Sequence, residues 1–194
     1  MFRTVLLIAF ILVTAIAGGA ASVWYALGSQ EGIGAVTIGP WTAFPDLGTT
    51  QADPYSRARI ARDGVLSLGA AEGLAFVAQR DSEGAALDRN CTYVVEGVFP
   101  PARFWTLYAA EASQAVIRTE HRRPPALHSL EALRRPDNSV SIAVSRHAAP
   151  GNWIAVSGSG AMNLVLTLYD TPAASSSGIA DIALPEIRRT ACDG

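Results

Sequence analysis

The residues best able to do chemistry are three histidines, five clustered arginines, two cysteines and a set of aromatic side chains. His121, His128 and His147 are the chain's only imidazoles. None is paired at the i, i+2 or i, i+4 spacing that brings two imidazoles onto one metal ion, so no metal site and no cofactor follow from them. No G-x-S-x-G elbow, H-E-x-x-H, C-x-x-C or phosphate-binding P-loop occurs. Gly158-Ser159-Gly160 reads as a turn. Arg118, Arg122, Arg123, Arg134 and Arg135 lie close together in sequence. Arginine forks grip carboxylate or phosphate in bidentate fashion, so the cluster could hold an anionic ligand or face anionic lipid. Its alternative is a solvated loop balanced by Glu120 and Glu131. Trp41, Phe104, Trp105, Tyr108, Trp153 and Tyr169 line the mouth of a pocket in one reading and fill a core in the other.

Charge narrows the functional classes. With 15 basic against 17 acidic residues the net charge is −2, which excludes a nucleic-acid binder that works by bulk charge. Every basic residue is Arg, a codon habit more than a function. Cys91 and Cys192 form an even pair, and in an oxidising compartment they would bridge across a loop of about 100 residues. The alternative is two buried thiols. Asn90-Cys91-Thr92 has the form of a glycosylation sequon, a match that is accidental if Cys91 is bridged in a bacterial host.

The compartment follows from the N-terminus. Val5 to Leu27 carries no charge, and about 20 apolar residues span a bilayer as a helix. Trp24 and Tyr25 stand at the far end, where amphipathic rings favour the headgroup layer, and Arg3 marks the cytoplasmic side. Ala15-Ile16-Ala17 fits a signal-peptide cleavage site, yet the apolar run continues well past it, which favours a retained signal-anchor. Both readings export the remainder. The expected organisation is an anchor over 1–27, a Gly-rich tether over 28–39 and one domain over 40–194, in the inner membrane with the domain in the periplasm.

Within that domain, Gly39 to Asp53 reads as irregular loop. Asp53 and Pro54 together form a helix start, and the helix should end at Gly64. Strand signals then dominate: a strand from Gly73 that turns at Asp81 to Gly84, then Cys91–Val98, Arg103–Ala109, Ser139–Ser145 and Asn163–Tyr169. Val140, Ile142 and Val144 alternate onto one face, as do Leu164, Leu166 and Leu168. Ile117 to Pro136 reads as a polar connection with one helical turn from Ser129 to Arg134. Pro185 limits the last stretch to a sheet edge. Short strands of period two joined by Gly/Pro turns indicate a mainly β chain: an antiparallel, jelly-roll-like β-sandwich with a short helix before its first core strands.

The series DPYSRARIAR, LGAAEGLAFVAQRDSEGAALDRNCTYVVEG, PPARFWTLY, PGNW and NLVLTLYDTP resembles the domain of unknown function 1214 (DUF1214) family. The Trp105–Tyr108 strand, Asn152-Trp153 and the Leu166–Tyr169 strand carry the likeness across roughly 39–187. Two features depart from it: AAEASQAV stands where the family often has an Asp-Gly hairpin, and GNWIAVSG lacks the usual proline after Asn-Trp. The resemblance implies a β-sandwich, no established reaction, and the company of a sister family, domain of unknown function 1254 (DUF1254).

The expected function is a non-catalytic binding or assembly module of the bacterial envelope. The alternative is a hydrolase, or a subunit acting with a DUF1254 partner. The residues expected to meet a ligand are Trp105, Tyr108, Arg118, His121, Arg122, Arg123, Asn152 and Trp153.

Overall fold

The computed structural model describes residues 2–28, 34–64, 68–69, 71–119, 125–174 and 182–192. It opens with helix α1, Phe2–Gly28, whose apolar side chains are exposed from Phe2 to Tyr25. Phe2–Tyr25 is long and apolar enough to cross a membrane. A helix that is apolar all round and packs against no core must find its apolar surroundings elsewhere.

Helix α2, Pro54–Asp63, has the predicted limits. Asp53 caps it by accepting hydrogen bonds from the Tyr55 and Ser56 amides, at 2.9 and 3.1 Å. A hydrogen bond from the Ser56 side chain foremost, and then these amide bonds, hold the Asp53 carboxyl below its ordinary pKa. Gly64 takes φ 64°, the left-handed conformation that ends helices.

Ten strands follow the chain. They are β1 (Val36–Ile38), β2 (Trp41–Ala43), β3 (Gly73–Ala78), β4 (Cys91–Gly97), β5 (Phe104–Ala110), β6 (Ala126–His128), β7 (Val140–Ser145), β8 (Asn152–Ala155), β9 (Asn163–Tyr169) and β10 (Glu186–Cys192). One sheet runs β1-β2-β3-β9-β5-β6 and the other β10-β4-β7-β8. All pairs are antiparallel except β7 with β8. Trp41, Phe76, Trp105, Leu107, Leu164 and Leu166 from the first sheet share one buried cluster with Tyr93, Val95, Ile142, Val144, Ile154 and Ile187 from the second. That single apolar layer between two sheets makes the mainly β sandwich.

Three short strands depart from the sequence reading. β1 lies inside the stretch read as tether, β2 inside the loop, and β6 inside the polar connection. Each is three residues long, too short for an alternating pattern to register. The connection's predicted turn is present, with the Glu131 and Ala132 amides donating to the His128 carbonyl at 3.1 Å.

The second sheet is stapled at its edges. Cys91 and Cys192 are bonded as directly opposed residues of β4 and β10. Glu96 on β4 binds Arg188 of β10 at 2.6 Å, and also Arg135. These arginines, Arg135 foremost, hold the Glu96 carboxyl below the usual carboxylate range. Asp81, buried, accepts from the Glu83 and Ala85 amides and pairs with Arg189 at 3.2 Å, tying the turn after β3 to β10.

Candidate functional site

Sheet pleat decides where each candidate side chain points. Along β5, Trp105, Leu107 and Ala109 are buried in the core, while Phe104, Thr106 and Tyr108 face outward, only partly covered. On β9 the outward set is Val165, Thr167 and Tyr169, and β3 adds Ala75 and Val77. Register aligns Phe104 with Tyr169, Thr106 with Thr167 and His128, and Tyr108 with Val165 and Ala126.

The outward face is therefore a platform of partly covered rings, Phe104, Tyr108 and Tyr169, beside Val165 and Thr167, which are themselves buried. The Phe104 ring sits 5.8 Å from Tyr169 and 5.5 Å from His128 between centroids. Burial, with a smaller contribution from Tyr169, pushes the Tyr108 phenol above its ordinary pKa, so the ring stays neutral across physiological pH. His128 Nδ1 is buried with no hydrogen-bond partner among the described residues, and its Nε2 lies 3.8 Å from Glu131. Arg103 and Asp170, 3.6 Å apart and exposed, place charge at one end of the platform. Rings, the Thr106 hydroxyl and one imidazole offer stacking area with few hydrogen-bonding groups. Such a surface suits a neutral ligand with apolar faces and hydroxyl or amide edges.

Of the eight residues expected to meet a ligand, five are described, and among these Tyr108 alone stands on this platform. Trp105 is in the core, stacked on Phe99 at 4.3 Å, and its indole N–H has no acceptor among the described residues. Arg118 is exposed on the far side of Ile117, and its carbonyl accepts a hydrogen bond from Ser157. His121, Arg122 and Arg123 lie outside the described residues. Asn152 and Trp153 are buried on β8. Asn152 Oδ1 accepts from the Leu133 amide at 2.7 Å, and its Nδ2 donates to the Leu133 and Ser141 carbonyls. Trp153 Nε1 donates to the carbonyl and hydroxyl of Ser145. Asn152 bonds to Ser141 and Trp153 to Ser145, both on β7, so the two side chains pin the parallel β7–β8 pair that the short connection 146–151 joins. Sequence reasoning named Phe104 and Tyr169 only among rings that line a mouth or fill a core, weighed His128 only as a metal ligand, and passed over Thr106 and Thr167. The signal available was the alternation of β5, in which Phe104 and Tyr108 share a face that Trp105 does not.

A second concavity, of about 260 Å³, lies where the ends of β4 and β9 meet the chain before β10. Val98, Phe99, Pro100, Pro172, Ala173 and Ile182 line it, and its Thr171 hydroxyl donates to the Pro101 carbonyl. Among the described residues, no titratable side chain lines it. Among the described residues, no three His, Cys, Asp or Glu side chains converge as a metal site would require.

Residues 72–173, the segment that holds β3 to β9, match the family described as "Protein of unknown function (DUF1214)". The chain belongs to the DUF1214 family. No curated protein matches it. Among solved structures, the VPA0106 protein of Vibrio parahaemolyticus aligns with a TM-score of 0.57 at 18% identity, over 71% of this chain and 36% of that one. An uncharacterised protein of Burkholderia cenocepacia aligns with a TM-score of 0.43 at 18% identity, over 73% of this chain and 44% of that one. This DUF1214 chain thus spans under half of either longer protein. The Vibrio likeness shows a shared fold for the DUF1214 sandwich.

Proposed function

We propose that this DUF1214 protein is a membrane-anchored binding or assembly module of the bacterial envelope. The observation that carries the proposal is the outward ring platform of Phe104, Tyr108 and Tyr169 on a sandwich whose chain begins with a membrane-length apolar helix. Export to the periplasm is supported by Arg3 ahead of that helix and by the Cys91–Cys192 bond, which persists in oxidising compartments. The occupant of the platform is a neutral small molecule or a partner protein, with a DUF1254 protein as the first partner to try.

Co-purification from membranes through a C-terminal tag, with mass spectrometry of bound proteins and extracted small molecules, tests it. The wild type is expected to carry a stoichiometric species that the Tyr108→Ala, Tyr169→Ala variant loses. Retention by the variant would remove the platform as the site. Turnover of ester, amide or phosphate substrates by the purified protein would favour the hydrolase instead.

A further inference from the structure

We infer that the exposed face of α2 rests on the anionic headgroups of the bilayer that α1 crosses. This rests on the anchor reading above. The chain leaves α1 at Gly28, and by Gly34 it is beside the N-cap of α2: a Cβ on Gly34 would lie 3.6 Å from Asp53 Oδ2. Six extended residues cover about 20 Å at most, so α2 begins within that distance of the point where α1 leaves the membrane. The two helices also touch each other.

The composition of α2 suits a membrane interface. Ser56 is buried, so that side of the helix is covered. Tyr55, Arg57, Ala58, Ala61 and Arg62 are exposed. A ring with a polar tip, two guanidinium groups and small residues between them let a short helix lie flat among headgroups. Each basic residue near an anionic leaflet adds attraction, and guanidinium binds phosphate with a fork geometry. The complement to this basic surface is a leaflet of anionic phospholipid. The contact would hold the sandwich at a set height and tilt over the membrane.

Spin labelling of the full chain in vesicles tests the inference. The chain's own cysteines are bonded to each other, so one introduced thiol is the single labelling site. A label at Ala58→Cys in vesicles containing phosphatidylglycerol should be reached by oxygen and shielded from a water-soluble nickel chelate. Shielding should be lost in pure phosphatidylcholine vesicles and in the Arg57→Gln, Arg62→Gln background. A second label at Ala15→Cys reports on α1 separately. If Ala15 reads as bilayer interior while Ala58 reads as fully aqueous, the α2 contact is overturned and the anchor stands. If Ala15 itself reads as aqueous, the anchor reading falls and the inference with it. Equal shielding in both lipids and in the Gln background would overturn the assignment to anionic headgroups.

Discussion

Asn152 shows how one side chain can organise a sheet edge. Its three hydrogen bonds, to both backbone groups of Leu133 and to the Ser141 carbonyl, cannot be replaced by water at a buried site. Asn152→Ala leaves those groups unpaired and should cost about 2–3 kcal/mol, read as a lower Tm of the detergent-solubilised protein. Glu96 gives a pH-dependent counterpart. Its folded pKa is depressed by Arg135 and Arg188, so its stabilising contribution is present above the ordinary carboxylate value and is lost as pH falls through the depressed one. The Tm difference between wild type and Glu96→Gln should therefore be largest near neutral pH and close in acid. A difference independent of pH would contradict it. At this scale the sequence was only partly legible. The polar groups were visible in the Asn-Trp pair, but the choice between ligand and backbone as their partner depends on a parallel strand pairing that no local spacing reveals. Trp105 and Tyr108 were named together, whereas strand alternation puts them on opposite faces and leaves only Tyr108 outside the core.

The strands and helices divide by length. Asn163–Tyr169 and Pro54–Asp63 could be read from residues alone, because one carries seven residues of strand signal and the other has both a cap and a stop. The three-residue strands β1, β2 and β6 owe their form to neighbours already in place, a tertiary effect. Gly73 is another case. It has φ 155°, and a Cβ there would lie 2.1 Å from the Leu168 carbonyl oxygen, so β3 can approach β9 only through a glycine. Gly73→Ala should cost about 2–3 kcal/mol, since the clash is with backbone and has no rotamer to relieve it. The Cys91–Cys192 bond closes a separation of 101 residues and fastens β10 at the sheet edge. Reduction should lower stability by about 2–4 kcal/mol, checked by melting with and without reductant. Melts that coincide would place the fastening in Ile187, Arg188 and Arg189 instead.

Across the whole molecule, an apolar helix, a basic second helix and a sandwich with a neutral ringed face follow one another along the chain. The mainly β character, the anchor-like helix and the DUF1214 likeness were all legible in the sequence, because they depend on composition and on patterns repeated over many residues. The platform was not, because it exists only once β5, β9 and β6 lie side by side. In cells, the chain should stay with the membrane pellet through alkaline carbonate extraction, as a spanning helix requires. The measurement that tests the central claim most directly is photo-crosslinking in living cells from a benzoylphenylalanine at position 108, with position 112 on the exposed turn after β5 as the control. The binding reading expects one discrete adduct at 108 and none at 112. Equal or absent adducts at both positions would contradict it.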